Sequence, residues 1–427
     1  MADDQTGYDI CVVGLGYIGL PTASLFATQG FDVLGVDIDA SVVRTVNDGE
    51  THIEESGLRT MVEAAVNSGR LTASTEPAAA DTFVIAVPTP RTREHEDTHG
   101  SDLGYIDRAV EAIVPYVEPD NLVILESTSP PATTREHVAA PLEREGFAVG
   151  DDLYVAHCPE RVLPGNILRE LVENDRVVGG VTDACSRRAA QFYRDVVDGE
   201  IHRTGATEAE LVKLMENTYR DVNIALANEL ADISDELGTD VREVIDLANR
   251  HPRVDLHQPG PGVGGHCLPV DPWFVVESAP EQARLIRQAR LINQSVPARL
   301  AEEVRSELTD VSNPKVALFG VAYKGNVDDH RMAPAKEIAR VLDQSDVELS
   351  AYDPHVRNFD FELDGIESAV RGAHAVVIAS AHDEFKYIDA ARIGELMAER
   401  RLFDFCNYLD AANWRDAGFD YVGRGRE

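Results

Sequence analysis

At 427 residues the chain is long enough for two or three domains, and with 44% of it hydrophobic it can bury ordinary cores. Basic residues number 39 against 75 acidic ones, a net charge of −36; such a polyanion repels nucleic acid and anionic membranes, so neither is an expected partner. The acid is spread along the chain rather than gathered in a tail, which fits a folded surface adapted to high salt and predicts activity that falls when salt is removed. Only five basic residues are lysine: Lys213, Lys315, Lys324, Lys336 and Lys386. Where lysine is this scarce, those that remain mark places that need an ammonium. Cys11, Cys158, Cys185, Cys267 and Cys406 are scattered and form no C-x-x-C, which suits reduced thiols rather than a disulfide frame or a metal site. No signal-peptide pattern and no apolar run of spanning length is present, so a soluble cytoplasmic protein is expected.

In chain order, residues 10–13 read as a strand and 20–28 as a helix closed by Gly30. Residues 31–36 read as a second strand ending at Asp37. Apolar runs at 83–87, 122–125 and 153–156, with helical stretches between, imply a parallel doubly wound sheet. The polar segment TREHEDTHGSD, with His95 and His99 four apart, reads as a solvated loop, since no third metal ligand accompanies them. From 207 to 237 the pattern is one long helix, about 45 Å at 1.5 Å per residue. Thr207 with Glu210 reads as its capping box and Gly238 as its stop. Further helices are expected at 240–249 and 281–308. Strands are then expected at 315–321, 347–352, 375–380 and 402–405. The fold class is α/β, with two doubly wound Rossmann-like domains (1–200 and 311–427) joined by a central helical domain (201–310).

Gly14, Gly16 and Gly19 form G-x-G-x-x-G after a strand and before a helix, with Asp37 eighteen residues beyond Gly19. In that context the glycines permit a tight turn, close approach of a pyrophosphate and close packing of helix on strand. Asp37 would accept from ribose hydroxyls and repel a 2′-phosphate, which favours NAD over NADP. Arg44 lies along the adenine end or is a solvated helix arginine.

Several long segments carry a resemblance: GLGYIGLPTA (14–23), VPTP (87–90), ESTSPPATT (126–134), CPERVLPG (158–165), KLMENTYRDVNIALANEL (213–230), NRHPRV (249–254), GPGVGGHCLPVDPWF (260–274) and LFGVAYKGNVDDHRMAPA (318–335). In these segments, and in their order, the chain resembles the UDP-glucose/GDP-mannose dehydrogenase family over essentially its whole length. Its finer likeness, carried by ENTYRDVNIALANEL and by GGHC with VDPWF, is to the UDP-N-acetylmannosamine branch; UDP-glucose members typically show lysine where Val270 stands. The resemblance implies a four-electron oxidation of a UDP-sugar's primary alcohol to a carboxylate with two NAD+. It also implies a homodimer or larger assembly, and UDP held between the C-terminal domain and the central helix.

That chemistry needs particular side chains. A bare aldehyde cannot give up hydride, so a nucleophile must first add to it, and a thiolate does so readily near neutral pH. Cys267, in a glycine-rich turn, is the candidate, against the alternative of a buried structural thiol; Asp271, four residues on, could orient a water or a lysine. Lys213 and Asn217 share a helix face and can stabilise an alkoxide and the tetrahedral oxyanions, and Arg220 extends that face towards the sugar or a phosphate. Glu160 and Arg161 follow a strand end, where such sheets bind ligands. The resemblance implies that Glu160 orients the hydrolytic water, or it is a helix-start carboxylate, and that Thr128 has a related part and meets the cofactor. It further implies NAD contacts at Tyr17, Ile18, Thr89 and Arg331, and substrate contacts at Arg161, Gly264, Tyr323 and Lys324. His251 and Arg253 are implied to complete a neighbouring subunit's site. Met332 and Ala333 stand where many members have Glu and Ser. Cys158 reads as structural, and Trp273 and Phe274 as packing.

The residues leave alternatives open. UDP-glucose and UDP-N-acetylglucosamine dehydrogenases share these catalytic residues. NAD-using sugar epimerases often carry Y-x-x-x-K, and none of the 12 tyrosines has lysine four residues on. A non-catalytic nucleotide-sugar sensor would not require Cys267, Lys213 and Asn217 together.

Overall fold

The protein is described by a computed structural model covering residues 7–95, 98–163 and 165–425. It divides into two compact units, residues 1–216 with 277–280, and residues 217–276 with 281–427.

Among the described residues the first unit is built on ten strands: β1 (Tyr8–Val13), β2 (Val33–Val36), β3 (Leu71–Ser74), β4 (Ala80–Ile85), β5 (Arg91–His95), β6 (Thr98–Ser101), β7 (Leu122–Leu125), β8 (Tyr154–His157), β9 (Arg176–Gly180) and β10 (Ile201–Gly205). Eight form one sheet in the order β10-β9-β8-β7-β4-β1-β2-β3. Central strands are apolar on both faces because helices cover both. Along β1, Ile10 and Val12 enter the core packed by the helices Gly19–Thr28 and Leu58–Asn67, while Cys11 and Val13 enter the one packed by Gly104–Ile113. The expectation of an all-parallel sheet needs one correction: β8 and β9 pair antiparallel. The short helix Ile167–Glu173 brings the chain back from the same end of the sheet instead of crossing it. The segment read as a polar loop is instead the antiparallel hairpin β5–β6. Its strands are polar throughout, so no alternation betrays them. The side chains of His95 and His99 lie outside the described residues.

The long helix runs over Ala206–Leu237. Its expected capping box is absent. Glu210 lies inside the first turns and accepts instead from the Ala132 N–H (2.6 Å), the Thr134 N–H (2.7 Å) and the Thr134 hydroxyl (2.6 Å). It caps the turn at 132–134, a partner no local pattern could name. The expected stop is there: Gly238 has φ +63°, and the Thr239 N–H donates to the Ser234 carbonyl, closing the helix end.

The second unit carries β11 (Lys315–Phe319), β12 (Glu348–Tyr352), β13 (Ala375–Ile378), β14 (Arg401–Asp404) and β15 (Asp420–Gly423), all parallel, in the order β12-β11-β13-β14-β15. Val316 and Leu318 face one core with Val296 and Leu300 of the helix Arg284–Glu307; Ala317 and Phe319 face the other with Val370 and Trp414. Among the described residues no helix is long and apolar enough to cross a membrane.

Candidate active site

β1 ends in the glycine turn. Gly14 has φ +97°, and its N–H donates to the Val36 carbonyl at 2.7 Å. A Cβ on Gly19 would lie 1.8 Å from the Gly14 carbonyl oxygen, so only glycine lets helix and turn approach this closely. Gly19→Ala is expected to destabilise the unit by about 3 kcal/mol or more and to abolish the thermal shift given by NADH; differential scanning fluorimetry reads both. Gly16 is different: a Cβ there would meet nothing within 4 Å, so the missing side chain leaves open a cradle for a ligand. The helix that follows has Ile18 at its N-cap, no side-chain cap and no acid in its first turn, which suits an anion at its N–H groups. The Asp37 carboxylate accepts from the Leu15 N–H (3.0 Å) and the Asp39 N–H (2.9 Å). It is half-buried and keeps lone pairs for ribose hydroxyls. Tyr17 and Arg44 are exposed nearby in sequence, and the Thr89 hydroxyl donates to the Thr128 carbonyl at 2.6 Å, joining the loops after β4 and β7. These features fit NAD.

The second sheet repeats the turn without the cradle. Gly320 has φ +79°, its N–H donates to Tyr352, and the Val321 N–H donates to Asp353 at 2.7 Å. Here the carboxylate is plugged by buried His382, whose Nε2 donates to Asp353 at 3.0 Å while Nδ1 accepts from the Asn326 N–H. With both ring nitrogens engaged, His382 has no lone pair to offer a metal, although His355 and Glu384 lie beside it.

At the ends of β7 and β8, Glu160 is buried. Its Oε2 accepts from Arg176 at 2.7 Å and its Oε1 from the Arg161 N–H at 2.6 Å. Arg161 pairs with Glu216. Arg176 also lies over the Tyr193 ring, whose hydroxyl donates to Glu126 at 2.8 Å. Sequence reasoning assigned no role to Glu126, Arg176 or Tyr193, because their partners are remote in the chain. Burial, against the opposing pull of Arg176, pushes the Glu126 carboxyl up to about 7. The folded state therefore holds a proton that the unfolded chain loses near pH 4.3. Stability from this group is full below the unfolded value and declines as pH rises, levelling off above about 7. Glu126→Gln is expected to remove a slope of about 1.4 kcal/mol per pH unit within that window, measured by chemical denaturation between pH 5 and 8.

The long helix carries Lys213 and Asn217 one turn apart. Lys213 is the one buried lysine of the five. The Asn217 amide donates to buried Asp271 at 2.6 Å, and the Asp271 and Val270 N–H groups donate to the Cys267 carbonyl at 2.8 and 2.9 Å. Cys267 thus forms the turn that opens the helix Asp271–Ser278. It is exposed, whereas Cys11, Cys158 and Cys185 are buried, and burial pushes the Cys11 and Cys158 thiols up to about 12. The Gly265 N–H donates to the Arg331 carbonyl at 3.2 Å, and a Cβ on Gly264 would lie 2.9 Å from the Tyr323 Cβ. Gly264, Tyr323 and Arg331 are thereby brought together. Arg331 pairs with Asp329, which also meets His266. Met332 has φ +50°, and Ala333 begins its helix without a side-chain cap, Pro334 supplying the first position. Lys324, Arg220, His251 and Arg253 are exposed, the last two in contact with each other. Trp273 and Phe274 are buried.

Comparison with known proteins agrees with this geometry. The UDP-glucose/GDP-mannose dehydrogenase family is matched in three parts: its NAD binding domain at residues 8–197, its central domain at 207–295 and its UDP binding domain at 317–411. The chain is 48% identical over 417 residues to the UDP-N-acetyl-D-mannosamine dehydrogenase of Methanocaldococcus jannaschii, covering 97% of this chain and 95% of that one. It is 46% identical over 397 residues to an NDP-N-acetyl-D-galactosaminuronic acid dehydrogenase of Ralstonia solanacearum, covering 90% and 93%. Among solved structures, that of the UDP-D-ManNAc dehydrogenase of Pyrococcus horikoshii superposes with a TM-score of 0.91 at 42% identity, covering 98% and 99%. The chain belongs to the UDP-glucose/GDP-mannose dehydrogenase family, as an NAD-dependent UDP-sugar dehydrogenase.

Proposed function

We propose that the chain oxidises UDP-N-acetyl-D-mannosamine to UDP-N-acetyl-D-mannosaminuronate through a thiohemiacetal and a thioester on Cys267. The observation that carries the mechanism is the exposed thiol of Cys267 on a turn hydrogen-bonded to Asp271, which Asn217 in turn holds. The sugar rests on the relatives from Methanocaldococcus and Pyrococcus. The Ralstonia relative, named for a different N-acetylated sugar at similar identity, supports the acetamido class rather than one epimer.

NAD+, when bound at the glycine turn, would supply the hydride acceptor for both oxidations. Lys213 relays the hydroxyl proton to solvent and, with Asn217, stabilises the alkoxide left behind, which collapses to the aldehyde as the first hydride leaves. The Cys267 sulfur then adds to the aldehyde carbon, giving a tetrahedral carbon that still carries hydrogen. Loss of that hydride leaves a thioester. Water releases the carboxylate and restores the thiol, with Glu160, anchored by Arg176, and Thr128 orienting the water. Tyr323, Lys324, Arg161, Arg220 and Gly264 hold the UDP-sugar, and Arg331 meets the cofactor.

A second copy of the chain belongs to this reading. Met215, Tyr219, Leu226, Ile233 and Leu237 are exposed on the long helix, spaced to form one apolar stripe. An isologous dimer would cover it, and His251 with Arg253 would then serve the neighbour's sugar. A panel of UDP-sugars assayed in high salt, with a desalted arm, is expected to give two NADH per sugar, fastest with UDP-N-acetyl-D-mannosamine and slower without salt. Faster turnover of UDP-glucose would overturn the choice of sugar, and oxidation that stops at one NADH would overturn the mechanism.

A further inference from the structure

Asn217, Asp221 and Asn228 fall at i, i+4 and i+11 on the long helix, within about 40° of one another at 3.6 residues per turn. The burial on this helix is inverted: Tyr219, Leu226 and Ile233 are exposed, while Asp221 and Asn228 are fully buried. Buried polar groups are costly unless paired, so a set of them calls for a reason. Here they form one connected chain. Arg290, from the helix Arg284–Glu307, pairs with Asp221. The Asn293 amide donates to the Asp221 carbonyl (2.8 Å) and carboxylate (2.9 Å). The Asn228 amide donates to the Asn293 side-chain oxygen at 3.1 Å, and the Asn228 side-chain oxygen accepts from the Gly260 N–H at 2.9 Å.

Gly260 opens the glycine turn that leads to Cys267. Pro297 has no N–H and so cannot close the helical bond onto the Asn293 carbonyl. Gly262, with φ +127°, packs against that same turn; a Cβ on it would lie 3.0 Å from the Pro297 Cγ and 3.4 Å from the Asn293 carbonyl oxygen. Beyond Cys267, Asn217 holds Asp271. The segment bearing the thiol is therefore tied to one helix at both ends, by residues about 16 Å apart along its axis.

We propose that Asn228, oriented by Asn293 and through it by Asp221 and Arg290, is a positioning residue that sets where Cys267 stands; this rests on Cys267 being the nucleophile. Misplacement of a reacting group by about 1 Å costs on the order of 100-fold in rate. Asn228→Ala is expected to lower kcat about 10- to 100-fold, with the KM for NAD+ unchanged and hydrogen exchange faster at residues 260–267 but not in the helix Arg284–Glu307. Asn228→Asp, which keeps an acceptor for the Gly260 N–H, is expected to recover part of kcat. If Asn228→Ala fails to fold, Asn293→Ala carries the same expectation with a smaller fall. A kcat within twofold of wild type, or unchanged exchange in the loop, overturns the positioning role. Cys267→Ala, measured alongside, separates the two claims: full turnover by that variant would instead refute the nucleophile on which the proposal rests.

Discussion

Cys267→Ser is expected to cut uronate formation by about 1000-fold or more, and to leave at most one NADH per sugar with aldehyde as the product. The reason is chemical. In the proposed mechanism the first hydride leaves an alcohol and needs no covalent help, while the second would leave a tetrahedral carbon that the sulfur creates. A serine hydroxyl at this turn is a far weaker nucleophile near neutral pH. The other cysteines cannot substitute, since Cys11, Cys158 and Cys185 are buried and burial raises the Cys406 thiol as well. Rapid-quench mass spectrometry checks it: wild type should carry a sugar adduct on the peptide containing Cys267, and the variant none. Normal stoichiometry from the variant would rule out the covalent route.

Arg290→Met is expected to produce the largest stability loss. Asp221 is fully buried beside it, and removing one partner of a buried pair leaves an uncompensated charge, at about 3–5 kcal/mol. Burial already raises the Asp221 carboxyl and Arg290 opposes that shift, so without the arginine the carboxyl rises further. Its folded value then lies further above its unfolded one, and the variant should regain stability as pH falls. Adding Asp221→Asn to Arg290→Met should recover more than half of the loss at pH 8, because the charge is gone while the Asn293 amide keeps the Asp221 backbone carbonyl. Chemical denaturation of both variants at pH 6 and pH 8 tests this; a pH-independent loss equal in both would show that packing, not charge, dominates.

The elements that were legible in the residues share one property: their determinants lie close together in the chain. The glycine turn, β1 and β2, the long helix with its Gly238 stop, and four of the five strands of the second sheet announce themselves by spacing within a dozen residues. β3, β9, β10 and β15 did not, being short strands in which polar residues or glycines interrupt the apolar run, and the polar hairpin β5–β6 had no alternation at all. Glu210 misled for a related reason. Its spacing from Thr207 suits a cap, but tertiary contact with residues 132–134 supplies better donors.

Among candidate site residues, Gly14, Gly16, Gly19, Asp37, Lys213, Asn217 and Cys267 were readable because each belongs to a compact motif. Glu126 and Tyr193, 67 positions apart, and Asp221 and Arg290, 69 apart, were not. The chain's own order determined which residues can form a dinucleotide turn, a lysine–asparagine helix face and a thiol-bearing loop, since local geometry follows from neighbours and spacing. Only the folded structure decided which carboxylates are buried, what pairs with them and which cysteine meets solvent. Those properties depend on groups that packing brings together from far along the chain, where loss of water makes every unpaired charge expensive.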